Sequence, residues 1–285
     1  MKRKFLDKFM EIIFFISACV SIISVILICY FMFANGIPGI KKIGVFKFLF
    51  GLDWSPSNIP PSFGIFPMII GSIYITFGAI VIGVPIGILT AIYLAKFCSP
   101  RLYKYLKPAV NLMAGIPSII YGFFGLVVLV PLIRNIFGGT GSSILTASIL
   151  LGIMILPTII GLSESAIRAV PNSHYEGAVA LGATHEYSIV FAMLPAAKSG
   201  ILSSIVLGIG RAIGETMAVI MVAGNQARMP NGILKGVRTL TANIVIEMGY
   251  AADLHREALI GTGVVLFVFI LIINGLLSIL KRKVF

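Results

Sequence analysis

Six long apolar runs constrain the fold of this chain more than any other feature of its sequence. They cover residues 10–33, 67–95, 108–133, 143–162, 198–224 and 257–280. Each run reaches the ~20 residues that a helix needs to cross about 30 Å of hydrocarbon. Only 11% of the residues are charged, about half the share of roughly 25% that is usual in soluble domains. The sequence therefore predicts an all-α integral membrane protein with six transmembrane helices.

The distribution of Lys and Arg predicts the orientation, because cytoplasmic loops carry an excess of both. Thirteen of the 22 fall in the N-terminus, the 96–107 and 163–198 loops and the C-terminal tail. Eight fall on the other side, and Arg211 lies within an apolar run. Both termini are therefore expected in the cytoplasm, with lipid as the surrounding partner. No basic stripe is interleaved with exposed aromatic residues, so no nucleic acid partner is expected.

The stretch at 34–66 is rich in Gly, Pro and Ser and separates the first apolar run from the other five. The sequence thus predicts an N-terminal helix with an extracytoplasmic loop (residues 1–66) and a core of five transmembrane helices (residues 67–281). Trp54 within that loop is interpreted as part of the interfacial aromatic belt. The three cysteines form no CxxC pair, so neither a disulfide framework nor a metal site is expected.

Glycine and proline interrupt the apolar runs at definite places. Gly83 and Gly87 are four residues apart, as are Gly210 and Gly214, a spacing that lets neighbouring helices approach closely. Ordinary helix packing is the simpler interpretation of each pair. Pro117 lies within the third run, where it is predicted to kink the helix. Since unsatisfied backbone is excluded from lipid, the kink should face protein or a water-filled cavity.

The loop at 163–197 carries the local signals of two short helices. The sequence S-x-x-E at 173–176 is a capping box, which predicts the start of the first helix, and Gly182 is placed to end it. Thr184 can cap the second helix, and Pro195 is expected to close the segment before the fifth span. Helices this short are unstable alone. The pair is predicted either to dock into another protein or to form an elbow between two spans.

This loop resembles the cytoplasmic EAA loop of binding-protein-dependent ABC importers. The family pattern is E-A-A, three residues, G, nine residues, then I-x-L-P. The complete spacing is kept by Glu176, Gly177, Ala178, Gly182, Leu194 and Pro195. Two positions depart from the pattern, because Gly177 replaces an alanine and Ala192 replaces the isoleucine. The resemblance implies the type-1 permease fold of these importers (MetI-like) and a loop that couples to a groove on a separate ATPase.

Further blocks across about residues 60–275 are similar to the phosphate branch of these permeases, PstC-type. They include GRAIGETMAVIMVAGN at 210–225 and VRTLTANIVIEMG at 237–249. The resemblance implies a permease subunit in the inner or plasma membrane of a prokaryote that imports inorganic phosphate. It also implies a homologous second permease, two ATP-binding cassette subunits and an extracytoplasmic phosphate-binding protein. ATP and Mg would bind the partner ATPase, and no cofactor is expected on this chain.

Arg211 and Glu215 are two charged residues placed four apart within the fifth apolar run. On one helix they would share a face and could pair, which lowers the cost of holding either charge in the membrane. One interpretation is a fixed ion pair that sets helix packing. The other, which the resemblance favours, is a polar station on an anion pathway, since a guanidinium matches phosphate oxygens. Ser118 and Tyr121 are weaker candidates for the same pathway.

Two further sets of polar residues complete the candidates. Thr239, Thr241 and Asn243 lie in a predicted outer loop, where they are expected to border the mouth of the pathway. His174 and His185 flank the turn of the EAA loop. We interpret both histidines as surface residues rather than metal ligands.

Other functions are weighed against an importer permease. An intramembrane enzyme is disfavoured because the chain has neither H-E-x-x-H nor G-x-S-x-G, so no catalytic residue is assigned. The chain also lacks G-x-x-x-x-G-K-[ST], which indicates that it does not hydrolyse ATP itself. A stand-alone anion channel would leave the 173–195 segment without a use. The nearest alternative is a permease for another oxyanion, such as sulfate, molybdate or tungstate.

Overall fold

The computed structural model describes the backbone of residues 2–283 and their side chains, except those of residues 2–6, 277, 278 and 280–283. Part of the charge distribution that predicts the orientation therefore lies outside the described side chains, namely Lys2, Arg3, Lys4, Lys281, Arg282 and Lys283.

Within the described residues the chain is almost entirely helical. The helices are α1 (Lys2–Ile43), α2 (Val45–Phe50), α3 (Phe66–Ile92), α4 (Pro100–Gly115), α5 (Ser118–Phe124), α6 (Val130–Phe137), α7 (Ile144–Arg168), α8 (Asn172–Ala180), α9 (His185–Ser188), α10 (Leu194–Gly214), α11 (Met217–Val222), α12 (Leu240–Glu247) and α13 (Asp253–Lys283). Single π-helical turns follow α3, α5 and α9 at Tyr93–Phe97, Gly125–Leu129 and Ile189–Met193. Two short strands, β1 (Trp54–Ser55) and β2 (Ser62–Phe63), form an antiparallel hairpin.

Six helical stretches are long and apolar enough to cross a membrane, which confirms the predicted number of spans. Among the described residues they are Asp7–Ile43, Phe66–Phe97, Ser118–Phe137, Ile144–Arg168, His185–Gly214 and Asp253–Leu276. The third span begins later than its apolar run, because the preceding residues form the separate basic helix α4. The fifth span begins earlier than its run, since α9 continues through a π-helical turn into α10. It also ends earlier, at Gly214.

Helix α7 lies at the centre of the packed core, with α3 and α10 against it. Gly83 and Gly87 of α3 face this helix. A Cβ atom at Gly83 would lie 2.8 Å from the carbonyl oxygen of Gly152, and one at Gly87 would lie 2.8 Å from the Cγ2 atom of Ile159. The predicted packing role of this glycine pair is therefore confirmed.

Two ends of the molecule are distinguished by what they carry. The hairpin face, as we call it, carries the β-hairpin, α2 and α12. There Gly36 and Gly39 let α1 pack closely against Gly261 and Glu257 of α13. The opposite end, the α8 face, carries α4, α8 and α9.

Pro117 does not lie inside a helix, contrary to the prediction. Helix α4 ends at Gly115, and Pro117 has an extended backbone (φ −58°, ψ 141°) at the N-cap of α5. At this position proline has no helical hydrogen bond to lose. The predicted kink is wrong because the third span begins only after Pro117.

Helix α8 begins differently from the prediction but ends as predicted. Its N-cap residue is Pro171, and no side chain caps it, so the capping box at 173–176 is wrong. At the other end Gly182 adopts φ +88°. Its N–H donates to the Val179 carbonyl at 2.9 Å, and the next N–H donates to the Ala178 carbonyl at 3.1 Å. These two bonds are a Schellman cap, which satisfies the last carbonyls of the helix.

Helix α9 is capped by Thr184, as predicted, because its hydroxyl accepts a hydrogen bond from the Tyr187 N–H at 3.3 Å. Pro195 was expected to close the segment before the fifth span, and this is wrong. It lies in the first turn of α10, inside the fifth span that begins at His185. A first-turn position is the one that tolerates proline in a helix.

Candidate translocation site and coupling loop

Arg211 lies near the end of α10, half-buried within the fifth span. Its Nη1 atom donates a hydrogen bond of 3.2 Å to the Thr158 hydroxyl of α7. Within the described side chains Arg211 forms no ion pair. A guanidinium carries five N–H donors, so most of its donor capacity is left for another acceptor. Thr158 is a member of this site that the sequence did not single out.

Glu215 does not pair with Arg211, so the predicted ion pair is wrong. The physical reason is that α10 ends at Gly214 and Glu215 has an extended backbone (φ −69°, ψ 130°). The two residues are therefore not one turn apart on a continuous helix. The Glu215 carboxylate instead accepts hydrogen bonds of 3.2 Å from the N–H groups of Thr216 and Ala218. It thus occupies the N-terminal end of α11.

Ser118 and Tyr121 lie on the first turn of α5, directly after Pro117. The Tyr121 hydroxyl is already engaged, because it donates to the Met113 carbonyl at 2.9 Å. Ser118 is half-buried, and its side chain makes no hydrogen bond within the described structure. Their place on the pathway stays a prediction.

Gly210 and Gly214 differ from the glycines of α3. Apart from the adjacent residues and the backbone of α10 itself, no atom of the described chain lies within 4 Å of where a Cβ atom would stand at either residue. Within this chain they therefore admit no neighbouring helix. Their predicted role in letting a neighbouring helix approach stays a prediction.

Thr239, Thr241 and Asn243 are buried at the start of α12 rather than placed in a loop, which corrects that expectation. Thr239 caps the helix by accepting from the Ala242 N–H at 3.2 Å. The Thr241 hydroxyl donates to the Glu215 carbonyl at 3.2 Å. The structure therefore brings Thr241 to the break between α10 and α11.

The EAA loop forms an exposed surface at the α8 face. Glu176, Gly177 and Gly182 are all exposed, and Leu181 keeps 92% of its surface accessible. Ala178 and Leu194 are half-buried. An apolar side chain this exposed, at the tip of two short helices, is suited to contact another protein.

His185 holds this surface to the neighbouring span. Its Nδ1 atom lies 2.8 Å from the Tyr175 hydroxyl of α8, and its ring contacts Phe97 edge-on with centroids 5.3 Å apart. His174 is exposed. In the described part of the chain no group of three potential ligands could hold a metal ion.

A cluster around Glu164 connects α4 to the end of α7. The Glu164 carboxylate, 1% exposed, accepts hydrogen bonds from the Tyr103 hydroxyl (2.7 Å), Lys107 Nζ (2.7 Å) and Arg168 Nε (2.8 Å). Arg168 also donates to the Leu94 carbonyl at 2.8 Å. The hydrogen bond to Glu164 raises the pKa of the Tyr103 phenol, with burial adding to it, because ionisation would place a second negative charge beside the carboxylate.

A second cluster, around Glu247, lies at the hairpin face. The buried carboxylate accepts from the Trp54 Nε1 atom at 2.8 Å and from Arg238, and it lies 2.9 Å from His255 Nε2. Trp54 is 7% exposed, so its assignment to an interfacial aromatic belt is wrong. Its indole instead ties the hairpin to α12.

Sequence reasoning missed both carboxylate clusters, and only one of them left a local signal. Glu164 and Arg168 are four residues apart at the end of an apolar run, and Tyr103 and Lys107 repeat that spacing on α4. Residues four apart share a helix face, so the two pairs could have been noticed. The hydrogen bond from Trp54 to Glu247 joins residues 193 apart, and no local pattern predicts it.

Solved structures define the class of protein first. A bacterial alginate ABC transporter, solved with an alginate pentasaccharide-bound periplasmic protein, matches with a TM-score of 0.66 at 17% identity, over 95% of this chain and 94% of that chain. The MetNI methionine ABC transporter matches with a TM-score of 0.58 at 23% identity, over 78% of this chain and 94% of that chain. The fold is that of ABC importer permeases, as predicted.

Sequence comparison then gives the family. The chain belongs to the family described as binding-protein-dependent transport system inner membrane component, which matches residues 83–285. It is 38% identical over 280 residues to the probable ABC transporter permease protein YqgH of Bacillus subtilis, covering 94% of this chain and 90% of that protein.

Phosphate transport system permeases are also among its relatives. The chain is 34% identical to the permease protein PstC of Mesorhizobium japonicum, over 85% of this chain and 80% of that protein. It is 33% identical to the probable PstC of Methanocaldococcus jannaschii, over 87% and 85%. The resemblance to PstC-type permeases is confirmed. The chain is a multi-pass membrane protein and a transport subunit of the ABC permease class.

Proposed function

We propose that this chain is the transmembrane permease subunit of an ATP-driven importer that moves inorganic phosphate into the cell. Its similarity to PstC permeases supports the cargo. The observation that carries the proposal is Arg211, a permanent positive charge within a span that its own chain holds by one hydrogen bond of 3.2 Å. Charges inside membrane spans are costly and mark ion pathways.

Arg211 can bind a phosphate oxyanion through two parallel N–H donors of its guanidinium. The anion takes donors that the chain does not use, and it competes with a single threonine hydroxyl for the rest. A transport site must also release its cargo, so binding must stay weak. Arg211 has no carboxylate partner in the described side chains, and the Glu215 carboxylate accepts hydrogen bonds at the start of α11 instead. Ser118 and Tyr121 are proposed to line the same route.

The remaining machinery lies on other chains. A homologous second permease supplies the other half of the pathway, and Gly210 and Gly214 are open for its approach. Two ATP-binding cassette subunits bind ATP and Mg and hydrolyse the nucleotide, and an extracytoplasmic phosphate-binding protein delivers the cargo. This chain binds no cofactor. Both termini and the α8 face lie in the cytoplasm, and the hairpin face lies outside.

The EAA loop is the coupling surface in this proposal. The exposed residues around Glu176 and Leu181 dock into a groove on the ATPase, and the Gly182 cap fixes the turn between the two helices. ATP-driven movement of that groove then reaches the spans. The exposure of Leu181 at 92% in the isolated chain supports a partner at this position.

Purification of the chain from its native membrane in mild detergent tests the proposal. We expect an ATPase and a second permease to co-purify. After reconstitution, binding protein loaded with phosphate should raise ATP turnover, whereas binding protein loaded with sulfate, molybdate or tungstate should not. Stimulation by one of those oxyanions alone would show that phosphate is not the cargo, while the importer assembly would stand. A chain that purifies without partners and conducts anions without ATP would overturn the importer itself.

A further inference from the structure

The Glu164 cluster joins three separate segments at the α8 face. Tyr103 and Lys107 come from α4, Glu164 and Arg168 come from α7, and the Leu94 carbonyl comes from the π-helical turn after α3. The Arg168 guanidinium also lies over the Tyr103 ring, 4.6 Å from its centroid. The cluster therefore fixes the orientation of α4 relative to two spans.

Stability alone is a weak explanation of such a cluster. Removing charges from water costs about as much as their attraction returns, and well-packed apolar residues often do as well or better. The Glu164 side chain is 2% exposed, while those of Lys107 and Arg168 are 25% and 45% exposed, and a buried carboxylate with all its hydrogen bonds made provides one defined geometry. The Glu164 carboxylate is satisfied by three donors of 2.7–2.8 Å, so its geometry is tightly specified.

The position of the cluster along α7 links two functional regions. Thr158, the partner of Arg211, is six residues before Glu164, which is about 9 Å along a helix axis. On the other side, α8 begins at Asn172, four residues after Arg168. Helix α7 is thus one continuous element from the pathway arginine to the coupling loop.

Apolar contacts attach α8 to the same unit. Ile167 and Val170 pack with Met193 of the π-helical turn before α10, and Tyr175 of α8 packs against this group. His185 joins Tyr175 to Phe97 at the end of the second span. These contacts place the cluster and α8 on one continuously packed end of the molecule.

We propose that Glu164 is a positioning residue that locks α4 to the end of α7, so that movement of the coupling helix α8 is transmitted along α7 to Thr158 and Arg211. The inference rests on the proposed function, since it assigns a role in coupling ATP hydrolysis to transport. Tyr103 and Lys107 are its contacts on α4. Without these two contacts α4 is no longer held to α7, and movement of α8 is not transmitted to Arg211.

The decisive variant is the double substitution Tyr103→Phe with Lys107→Met. It removes both α4 donors while Glu164 keeps its pairing with Arg168, so no buried carboxylate is left without a cation. The matched control is Lys104→Met with Tyr105→Phe, on the same helix, where both residues are exposed and belong to no ion pair in the described chain. Lys107→Arg is the conservative rescue.

Each reconstituted complex is assayed for assembly, ATP turnover without binding protein, and stimulation of turnover by loaded binding protein. We expect the double variant to assemble and to keep its unstimulated turnover within about twofold. Its stimulation should fall about fivefold or more, the size of an ordinary coupling between sites. The control and Lys107→Arg should behave like the parent. Parent-like stimulation in the double variant, or an equal loss in the control, would overturn the proposal.

A second readout requires no substrate. Amide hydrogen exchange in residues 172–183 should become faster in the double variant and stay unchanged in the control. If the double variant assembles poorly, Lys107→Gln replaces it in this exchange measurement. Unchanged exchange in residues 172–183 would then contradict the proposed connection between α4 and α8. If the parent is not stimulated by phosphate, the proposed cargo fails, and the same comparison is made with the anion that does stimulate it. The two failures are therefore distinguishable.

Discussion

Glu164 and Glu247, at the two ends of the molecule, have several hydrogen-bond partners within the chain, whereas Arg211, which lies between them, has one. At the α8 face the Glu164 carboxylate accepts three hydrogen bonds of 2.7–2.8 Å. At the hairpin face Glu247 is surrounded by an indole, a guanidinium and an imidazole. Arg211 makes one hydrogen bond of 3.2 Å to a hydroxyl. A charge that its own chain satisfies serves the architecture, whereas one left mostly unsatisfied in a span is available to an ion.

The glycines repeat this contrast in packing. Atoms of α7 pack against Gly83 and Gly87, whereas no other element of the described chain lies within 4 Å of the Cβ positions of Gly210 and Gly214, on either side of Arg211. Around Arg211, α10 therefore has neither an ion-pair partner for the guanidinium nor a packed neighbour at the two glycines within the described chain. In the proposed function, this is the region that contacts the cargo and the second permease.

The largest expected effect is on the hairpin face. Glu247→Ala leaves the Trp54 indole without its acceptor and the Arg238 guanidinium without its carboxylate, although Arg238 keeps the Asn225 carbonyl and Asn243 Oδ1. We expect a loss of about 3–5 kcal/mol in the free energy of unfolding, typical when one partner of a buried ion pair is removed. Thermal unfolding of the purified chain in detergent measures it.

The control for Glu247→Ala is Glu257→Ala, which breaks the ion pair between Lys42 and Glu257. These side chains are 57% and 30% exposed, so the expected cost is only about 0–1 kcal/mol. Equal effects of the two substitutions would remove the distinction between architectural and surface charges at this face.

A smaller effect is expected from adding a methyl group at a filled glycine. Gly87→Ala places a Cβ atom 2.8 Å from Ile159, and overpacking of this kind costs about 1–3 kcal/mol. Gly210→Ala meets no atom of this chain, so the free energy of unfolding of the isolated chain should not fall. Instead the affinity for the second permease should drop about tenfold. Unfolding curves and co-purification yields measure the two effects, and a destabilised Gly210→Ala chain would contradict the contrast.

The smallest effect concerns the coupling loop, where two glycines five residues apart should respond in opposite directions. Gly182→Ala forces a side chain into φ +88°, at a cost of about 1 kcal/mol. Gly177→Ala lies within α8 with open space around its Cβ position and should stabilise the helix by about 0.5–1 kcal/mol. Amide hydrogen exchange of α8 should be faster in the first variant and slower in the second. The same direction in both would show that the Gly182 cap does not hold the turn.

The features that the sequence predicts correctly are those that depend on residues close together in the chain. The lengths of the apolar runs predict the six spans. Gly182 predicts the cap of α8, because the left-handed residue that follows the end of a helix is usually glycine. The fold class and the permease family followed from the spans and the EAA spacing together. These signals are local, so a single sequence carries them.

Two of the wrong predictions assume one continuous helix, and a third concerns a contact between residues far apart in the chain. Arg211 and Glu215 were paired because they are four apart, but α10 breaks at Gly214 and turns the carboxylate to α11. Pro117 was placed inside a span because apolar residues of α4 extend the hydrophobic run before it. Trp54 is assigned to the membrane interface because tryptophan is enriched there, and its actual partner, Glu247, is 193 residues away, where no local pattern reveals it.

Phosphate uptake by the reconstituted importer with Arg211→Gln tests the central claim most directly. The account predicts that uptake falls about 10–100-fold, because a charged hydrogen bond of about 1.5–3 kcal/mol is lost, while assembly and unstimulated ATP turnover stay at the parental level. The matched control is Arg134→Gln, whose guanidinium is spent on the Thr140 carbonyl of its own chain, and which should transport normally. Parental uptake by Arg211→Gln in a fully assembled complex would contradict the account and return Arg211 to a purely structural role.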